Sequence, residues 1–364
     1  MAQTRGVRGA QDNLEAQLFY RVYLSVTPAL REFRRALGKA NYDLNTARAG
    51  LMELARFPEP PKVSFAVQWS PKNLRAAAAE AEAFAIKALL VYAVDALDRY
   101  MRMIASPPTM LRDEKVLSLL RAEFQSLPAS DPPTQAEVLR LSGALAAEPS
   151  AVEDLLKAFR ARHLSKTYRP GMRSRFDALM SLCPSVPAHH RAAAHFLVTW
   201  RNRHVHGDSA DGVTIQIEND WEQGLSELGR SNPRADGDGL LKRFVGQHDP
   251  TADDVTTLIA LLHRTISTAD RDLVMRADAE TYALKAFVRS FKSLDDPVQF
   301  ARDMWGKTDY ARATKFLSMT TDAGFRRVAR TKVPQGANVV SDEPWLRYAR
   351  MSRSKFLAEI DAVI

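Results

Sequence analysis

Apolar residues recur every three or four positions along most of the chain, which is the spacing of the buried face of an α-helix. The longest such stretch runs from about Asn73 to Ile104 and carries two neighbouring apolar rows, so we expect a helix packed on more than one side. The same spacing predicts further helices at 12–37, 41–56, 111–127, 134–147, 150–165, 172–182, 188–206, 251–275, 279–292, 297–304 and 309–318. The predicted fold class is therefore all-α.

Alternation of apolar and polar residues, which is typical of a strand, occurs in two short segments, 62–69 and 212–220. The proline-rich stretch "RFPEPPK" at 56–62 ends the helices before it, because proline cannot continue a helix. We therefore expect at most short β segments. The predicted divisions are an N-terminal helical region (1–70), a central helical domain (71–280) and a basic C-terminal helical region (281–364).

The composition is that of an ordinary folded protein, with 46% hydrophobic and 26% charged residues in a chain of 364. A single cysteine, Cys183, excludes a disulfide framework and a zinc site built from several cysteines. The most apolar stretch contains Lys87 and Asp95 and is too short to span a bilayer, and no early segment has the pattern of a secretory signal. We expect a cytoplasmic protein with no membrane partner.

The net charge of +8 is unevenly spread along the chain. Residues 281–364 carry fifteen Lys/Arg against nine Asp/Glu, and residues 1–56 carry nine against five, whereas the middle is near neutral. Basic ends of this kind are typical of a protein with a polyanion partner. Arginine outnumbers lysine 37 to 14, which suits bidentate phosphate contacts; codon usage in a GC-rich genome explains the same bias.

The densest group of ionisable residues is "WRNRHVHGD" at 200–208, where the apolar helix 188–206 ends. Asn202 and His206 are four residues apart and share a helix face, so the amide can orient the imidazole while Arg201 lies beside them. A helix C-terminus favours the imidazolium, which can donate a proton to a leaving group. An arginine suits a phosphate whose negative charge grows in the transition state. These groups would cleave RNA without a metal.

In such a reaction the ribose 2′-hydroxyl attacks its own phosphate, and the cleavage gains from two proton-transfer groups. One helix supplies only one suitable histidine. A two-fold dimer would bring two copies of the segment together. We therefore expect a homodimer with a composite active site.

The segment "RNRHVHG" resembles the R-N-x-x-x-H signature of the HEPN superfamily, whose all-α domains are often dimeric, metal-independent ribonucleases. The resemblance implies that the central domain is a HEPN-like helical bundle with Arg201, Asn202 and His206 as its catalytic residues. It also implies a bacterial toxin or antiphage defence effector that is restrained by an antitoxin or released by a trigger. In one subgroup a tyrosine stands two residues after the histidine; here Asp208 stands there, so a tyrosine-modification mechanism is not expected.

Several other side chains are candidates for supporting roles. Arg203 and His204 are expected to contact the RNA substrate, and Glu80 on the long helix is the candidate for the acidic residue that supports the motif in HEPN folds. A solvated helix face is the alternative for Glu80. Arg243 and His248 repeat the arginine–histidine spacing without a polar residue after the arginine, and we interpret this as coincidence.

Five histidines lie within 18 residues, at positions 189, 190, 195, 204 and 206. No acidic or thiol residue stands at a standard ligand spacing from them, so we expect neither a metal site nor another cofactor. His189 and His190, at the start of their helix, are expected to be exposed.

Two alternatives remain. Charged residues at a helix end are often solvated caps, and a non-catalytic HEPN-like regulator would use the same motif to bind a nucleotide or nucleic acid. In the basic tail, 301–317 fits a helix-turn-helix element with Arg312 and Lys315 facing phosphates and 325–332 adding backbone contacts. We favour a basic helical hairpin packed on its own domain, because no base-reading motif is clear.

Overall fold

The computed structural model describes residues 20–54, 74–123, 125–127, 166–206, 212–233, 235–329, 332–335, 337–341 and 343–362. These residues are mostly helical, which confirms an all-α class with short β segments. The helices are α1 (Pro28–Leu54), α2 (Leu74–Ala105), α3 (Glu114–Leu120), α4 (Met172–Ser181), α5 (Ala188–His206), α6 (Ile215–Ser231), α7 (Gly237–Val245), α8 (Ala252–Arg276), α9 (Ala279–Lys292), α10 (Pro297–Trp305), α11 (Asp309–Ser318), α12 (Glu343–Arg350) and α13 (Arg353–Ala362). The strands are β1 (Tyr20–Leu24), β2 (Gln125–Leu127), β3 (Lys166–Tyr168), β4 (Arg326–Ala329) and β5 (Asn338–Val340).

The beginning of the described chain differs from the prediction. The helix expected over 12–37 is wrong at β1, which lies between β4 and β5 and pairs antiparallel with both. Strand pairing of this long-range kind overrides local periodicity. The expected interruption near residue 40 is also wrong, because α1 runs through it while Leu37, Ala40 and Leu44 continue the buried face at helical spacing.

Two further predictions fail locally. The strand expected at 212–220 is instead the start of α6, whose buried residues Trp221, Gly224 and Leu228 have helical spacing that extends beyond the alternating stretch. The helix expected at 111–127 is only α3, which is followed by Ala122 in a left-handed conformation and then by β2. The segments 62–69, 134–147 and 150–165 lie outside the described residues.

Helix α5 lies in the middle of the larger hydrophobic cluster and packs against α2, α4, α6 and α8. All nine residues from Ala192 to Trp200 are buried, so the helix is covered on every side there. This explains why the run before the motif is mostly apolar and why none of its residues faces solvent. Burial of each large apolar side chain stabilises the fold by about 1.5–3 kcal/mol, so α5 holds the motif at its end on a rigid support.

A buried carboxylate joins three elements next to this cluster. Asp270 of α8 is 0% exposed. It accepts hydrogen bonds from the Thr27 backbone N–H at 3.0 Å, from the Thr27 hydroxyl, and from the Tyr100 hydroxyl at 3.1 Å. Thr27 lies between β1 and α1, and Tyr100 is in α2. Burial raises the pKa of the Asp270 carboxyl, and the hydrogen bonds oppose that rise.

A second hydrophobic cluster forms the C-terminal part of the structure. It contains Val22 and Leu24 of β1 together with side chains of α9, α11, α12 and α13. At its centre the rings of Phe316 and Phe356 are stacked with centroids 5.2 Å apart. The N-terminal strand is thus part of the C-terminal core. The predicted division of the chain at residues 70 and 280 stays a prediction.

The basic tail packs on its own domain. Arg312 is buried, donates hydrogen bonds of 2.8 Å to the carbonyls of Ala349 and Lys307, and forms an ion pair with Asp309. The helix-turn-helix interpretation is therefore wrong in placing Arg312 toward phosphates, whereas Lys315 is exposed. Among the helices described, none is both long and apolar enough to cross a bilayer.

Candidate functional site

The end of α5 brings Arg201 and Asn202 into contact. Arg201 Nη1 donates a hydrogen bond of 3.3 Å to Asn202 Oδ1, and both side chains are half-buried. Arg201 Nε is buried and has no hydrogen-bond partner among the described residues. The hydrogen bond to Asn202 holds the guanidinium beside the amide.

His206 is the last residue of α5, and the helix is continuous from Arg201 to His206. Asn202 and His206 are consequently one turn apart on a common face, as the sequence spacing predicts. The His206 side chain lies outside the described part of the structure, as do residues 207–211.

The face that carries Asn202 and His206 continues back along α5 to Thr199 and His195, which follow the same spacing of three or four residues. Helix α4 covers this part of the face. Arg173 of α4 donates one hydrogen bond to the Thr199 hydroxyl and another, of 2.9 Å, to the Gly212 carbonyl. It thereby ties α5 to the segment that follows the motif.

A histidine–aspartate pair lies on the same face. His195 Nε2 and Asp177 Oδ1 are 2.9 Å apart, and the His195 ring meets the edge of Phe176 at 5.5 Å between centroids. Thr199, Arg173 and Asp177 were not among the predicted site residues. The helical spacing back from His206 identifies Thr199, whereas no local signal identifies the two residues of α4.

Arg203 and His204 point to a different part of the fold. Arg203 Nη1 donates a hydrogen bond of 2.9 Å to the Phe244 carbonyl, and the guanidinium carbon lies 4.5 Å from the centroid of the Phe244 ring. His204 Nε2 is 3.8 Å from Asp249 Oδ1, and burial lowers the pKa of this imidazole. Both side chains therefore help to pack the 244–249 segment on α5. Their contact with a substrate stays a prediction.

The second arginine–histidine pair has structural contacts. Arg243 forms two hydrogen bonds to the Asp254 carboxylate, at 2.8 and 2.7 Å, and Asp254 belongs to the capping box of α8. The His248 carbonyl accepts a hydrogen bond of 3.2 Å from Trp200 Nε1. These contacts support the interpretation of the repeated spacing as coincidence.

The expectation that His189 and His190 are exposed is wrong. Their exposed fractions are 7% and 8%. Helix α6 approaches His189 closely at Gly224, and the His190 ring lies against the His189 ring with centroids 4.5 Å apart. Burial lowers the pKa of His190 to about 4, and it also lowers the pKa of His189. Within the described residues, no three histidine, cysteine, aspartate or glutamate side chains are grouped as a metal site. Glu80 is exposed on α2, and its supporting role stays a prediction.

Comparisons of the chain with protein-family models, curated proteins and solved structures found no match. The resemblance to HEPN domains therefore depends on the residues from Arg201 to His206 and on their helical surroundings. The geometry of that segment is what a functional proposal has to explain.

Proposed function

We propose that the protein is a metal-independent endoribonuclease that cleaves RNA by attack of the 2′-hydroxyl on the adjacent phosphate. The observation that carries this proposal is the contact between Arg201 and Asn202, one helical turn before His206. A guanidinium and an amide are thereby held together at the helix end that also carries His206.

Each residue has a distinct role in this mechanism. Arg201 binds the phosphoryl oxygens and stabilises the charge that grows on them in the transition state. His206 transfers a proton to the departing 5′-oxygen as the bond to phosphorus breaks. Asn202 orients the imidazole through its side-chain amide. The products are a 2′,3′-cyclic phosphate and a 5′-hydroxyl, and the atoms balance without added water or metal.

A second imidazole is needed to take the proton of the attacking 2′-hydroxyl. In a two-fold dimer the His206 of a second copy would supply it, which makes the active site composite. The setting that the resemblance implies is a cytoplasmic toxin or antiphage effector that is kept silent by an antitoxin or until a trigger arrives.

The test is incubation of purified protein with a defined RNA in the presence of EDTA, followed by mapping of the cut ends. The wild type is expected to give cyclic phosphate and 5′-hydroxyl ends. Arg201→Gln and His206→Ala are each expected to lower the rate by about 100-fold or more. Matched controls are Arg230→Gln on α6 and His248→Ala, both at exposed positions, which should keep the wild-type rate.

Absence of cleavage by the wild type in EDTA would contradict the proposal. Tight RNA binding without cleavage would instead favour the non-catalytic regulator. Loss of activity only when a chelator is added would indicate a metal enzyme.

A further inference from the structure

The C-terminal part of the structure contains a groove between β1, α11 and β4, with a volume of about 340 Å³. We call it the β4 groove. Its wall carries apolar side chains, including Leu317 and Phe325, and three hydroxyls, from Thr314, Ser318 and Thr321. A volume of this size is at the lower end of the range for small-molecule sites.

Two arginines line the β4 groove. Arg326 is exposed, and Arg327 is held by Tyr310 of α11. Arg327 Nη2 donates a hydrogen bond of 2.6 Å to the Tyr310 hydroxyl, and its guanidinium carbon lies 5.7 Å from the centroid of that ring. No aspartate or glutamate is among the described residues that line the groove. The charge of the groove therefore favours an anionic ligand.

A small recess of about 20 Å³ adjoins the groove at Arg327 and Thr314 and extends to Trp345. Trp345 is 1% exposed, and its Nε1 has no hydrogen-bond partner among the described residues. A buried N–H of this kind is costly unless an acceptor reaches it. The recess has room for one water-sized group, so an acceptor atom of a ligand would fit there.

We propose that the β4 groove binds a free nucleoside monophosphate. The Arg327 guanidinium, held by Tyr310, matches a phosphate, which arginine binds by paired hydrogen bonds, and Arg326 adds positive charge to the same groove. The apolar wall at Leu317 and Val328, which are partly exposed, matches a base, and the hydroxyls match the sugar. The β4 groove borders the second hydrophobic cluster, whereas Arg201 and Asn202 lie at the end of α5, a helix of the first cluster. The proposal does not depend on RNA cleavage.

The test is isothermal titration calorimetry of the full chain with AMP, GMP, CMP and UMP, each titrated separately. Inorganic phosphate and adenosine are the probes for the two halves of the ligand. At least one nucleotide is expected to bind with a Kd below about 1 mM, about tenfold or more tighter than either probe. The variant with Arg326→Gln and Arg327→Gln should weaken that binding by about tenfold or more.

The matched control is Arg353→Gln, which removes the same charge at an exposed position outside the groove and should change the Kd by less than about twofold. Arg326→Gln alone is the second variant, because an exposed arginine can be replaced with little risk to folding. It should also weaken binding.

Three results would overturn the proposal: no nucleotide binding, equal losses in Arg353→Gln and the groove variants, or inorganic phosphate binding as tightly as the nucleotides. A single-stranded oligodeoxynucleotide, which has no 2′-hydroxyl for cleavage, distinguishes a nucleic-acid strand from a free nucleotide as the ligand. If it binds more tightly than the nucleotides, and if that binding requires Arg326 and Arg327, the groove belongs to a nucleic-acid strand and the proposal of a free nucleotide is overturned. None of these titrations involves RNA cleavage, so their failure is separate from failure of the nuclease proposal.

Discussion

Arg201 and Asn202 are neighbours in sequence, and the Arg201 guanidinium donates a hydrogen bond of 3.3 Å to the Asn202 side-chain oxygen. A side-chain amide oxygen has two lone pairs, so in the proposed mechanism Asn202 Oδ1 accepts from the Arg201 guanidinium and also from one N–H of the His206 imidazole. The ring nitrogen that faces the amide then keeps its proton, and the opposite nitrogen exchanges the proton of the reaction. The proposed mechanism thus places the amide oxygen at one ring nitrogen of His206 and the RNA at the other.

Asn202→Asp should therefore lower the cleavage rate although it preserves the partner of Arg201. The carboxylate keeps an acceptor for the guanidinium, but its negative charge makes the imidazolium a weaker proton donor and offsets the positive charge of Arg201 toward the phosphate. We expect a loss of about 10- to 100-fold in kcat/KM. The measurement is the rate of cleavage of a fluorescent RNA, with the melting temperature as the control for folding. Full activity in this variant would contradict the orienting role of the amide.

Mixed dimers test the composite site. Equal amounts of wild type and His206→Ala, unfolded and refolded together, should give about one quarter of the wild-type activity, because only wild-type pairs hold two imidazoles. Independent sites would give about one half. The control is a mixture of wild type with His248→Ala, which should keep full activity.

The Arg203→Ala variant tests whether Arg203, which follows Asn202 in the motif, acts through packing. Arg203→Ala removes the hydrogen bond to the Phe244 carbonyl and the contact with its ring, so the free energy of unfolding should fall by about 1–2 kcal/mol. The rate of cleavage per folded molecule should change by less than about threefold. A large loss of RNA affinity without loss of stability would instead support the predicted substrate contact.

Two glycines of α6 form a matched pair. A Cβ built at Gly224 would lie 2.2 Å from His189 Cβ, whereas nothing lies within 4 Å of one built at Gly229. Gly224→Ala should destabilise the fold by about 1–3 kcal/mol, because α6 would have to move away from α5. Gly229→Ala should be neutral or stabilising by up to about 1 kcal/mol through helix propensity. Urea unfolding measures both, and equal effects would contradict the close approach.

Asp270 gives a pH dependence with a defined sign. Burial raises the pKa of its carboxyl above the ordinary 3.8. At a pH between 3.8 and the pKa of the folded state, the folded chain therefore holds a proton that the unfolded chain has lost. Stability from this group is therefore complete below pH 3.8 and decreases as pH rises through the folded pKa. The free energy of unfolding of the wild type, measured relative to Asp270→Asn, should fall over that interval. A difference that rises with pH would contradict it.

Much of the helical framework follows from local spacing. Helix α5 has the predicted bounds, and α2 begins and ends within a residue of the prediction, because long apolar rows and flanking prolines are local signals. The placement of Asn202 and His206 on one face follows from the same periodicity. The partners of the site residues do not follow from the local sequence. Arg203 contacts Phe244, and Arg173 contacts Thr199, only through tertiary packing.

β1 was missed for the same reason. Its apolar residues fit a helix when they are considered alone, and only pairing with two strands from the far end of the chain makes them a strand. The burial of His189 likewise depends on the approach of α6 at Gly224, which no pattern within α5 encodes.

The order β4–β1–β5 means that the first described strand is the central strand of its sheet. Because β4 and β5 are held together in the sheet through β1, a ribosome must release the chain through Val340 before this sheet can close. Until then both edges of β1, with Val22 and Leu24, stay open to pairing with other chains. Premature termination after α8 should therefore yield an aggregating product instead of a shorter folded protein.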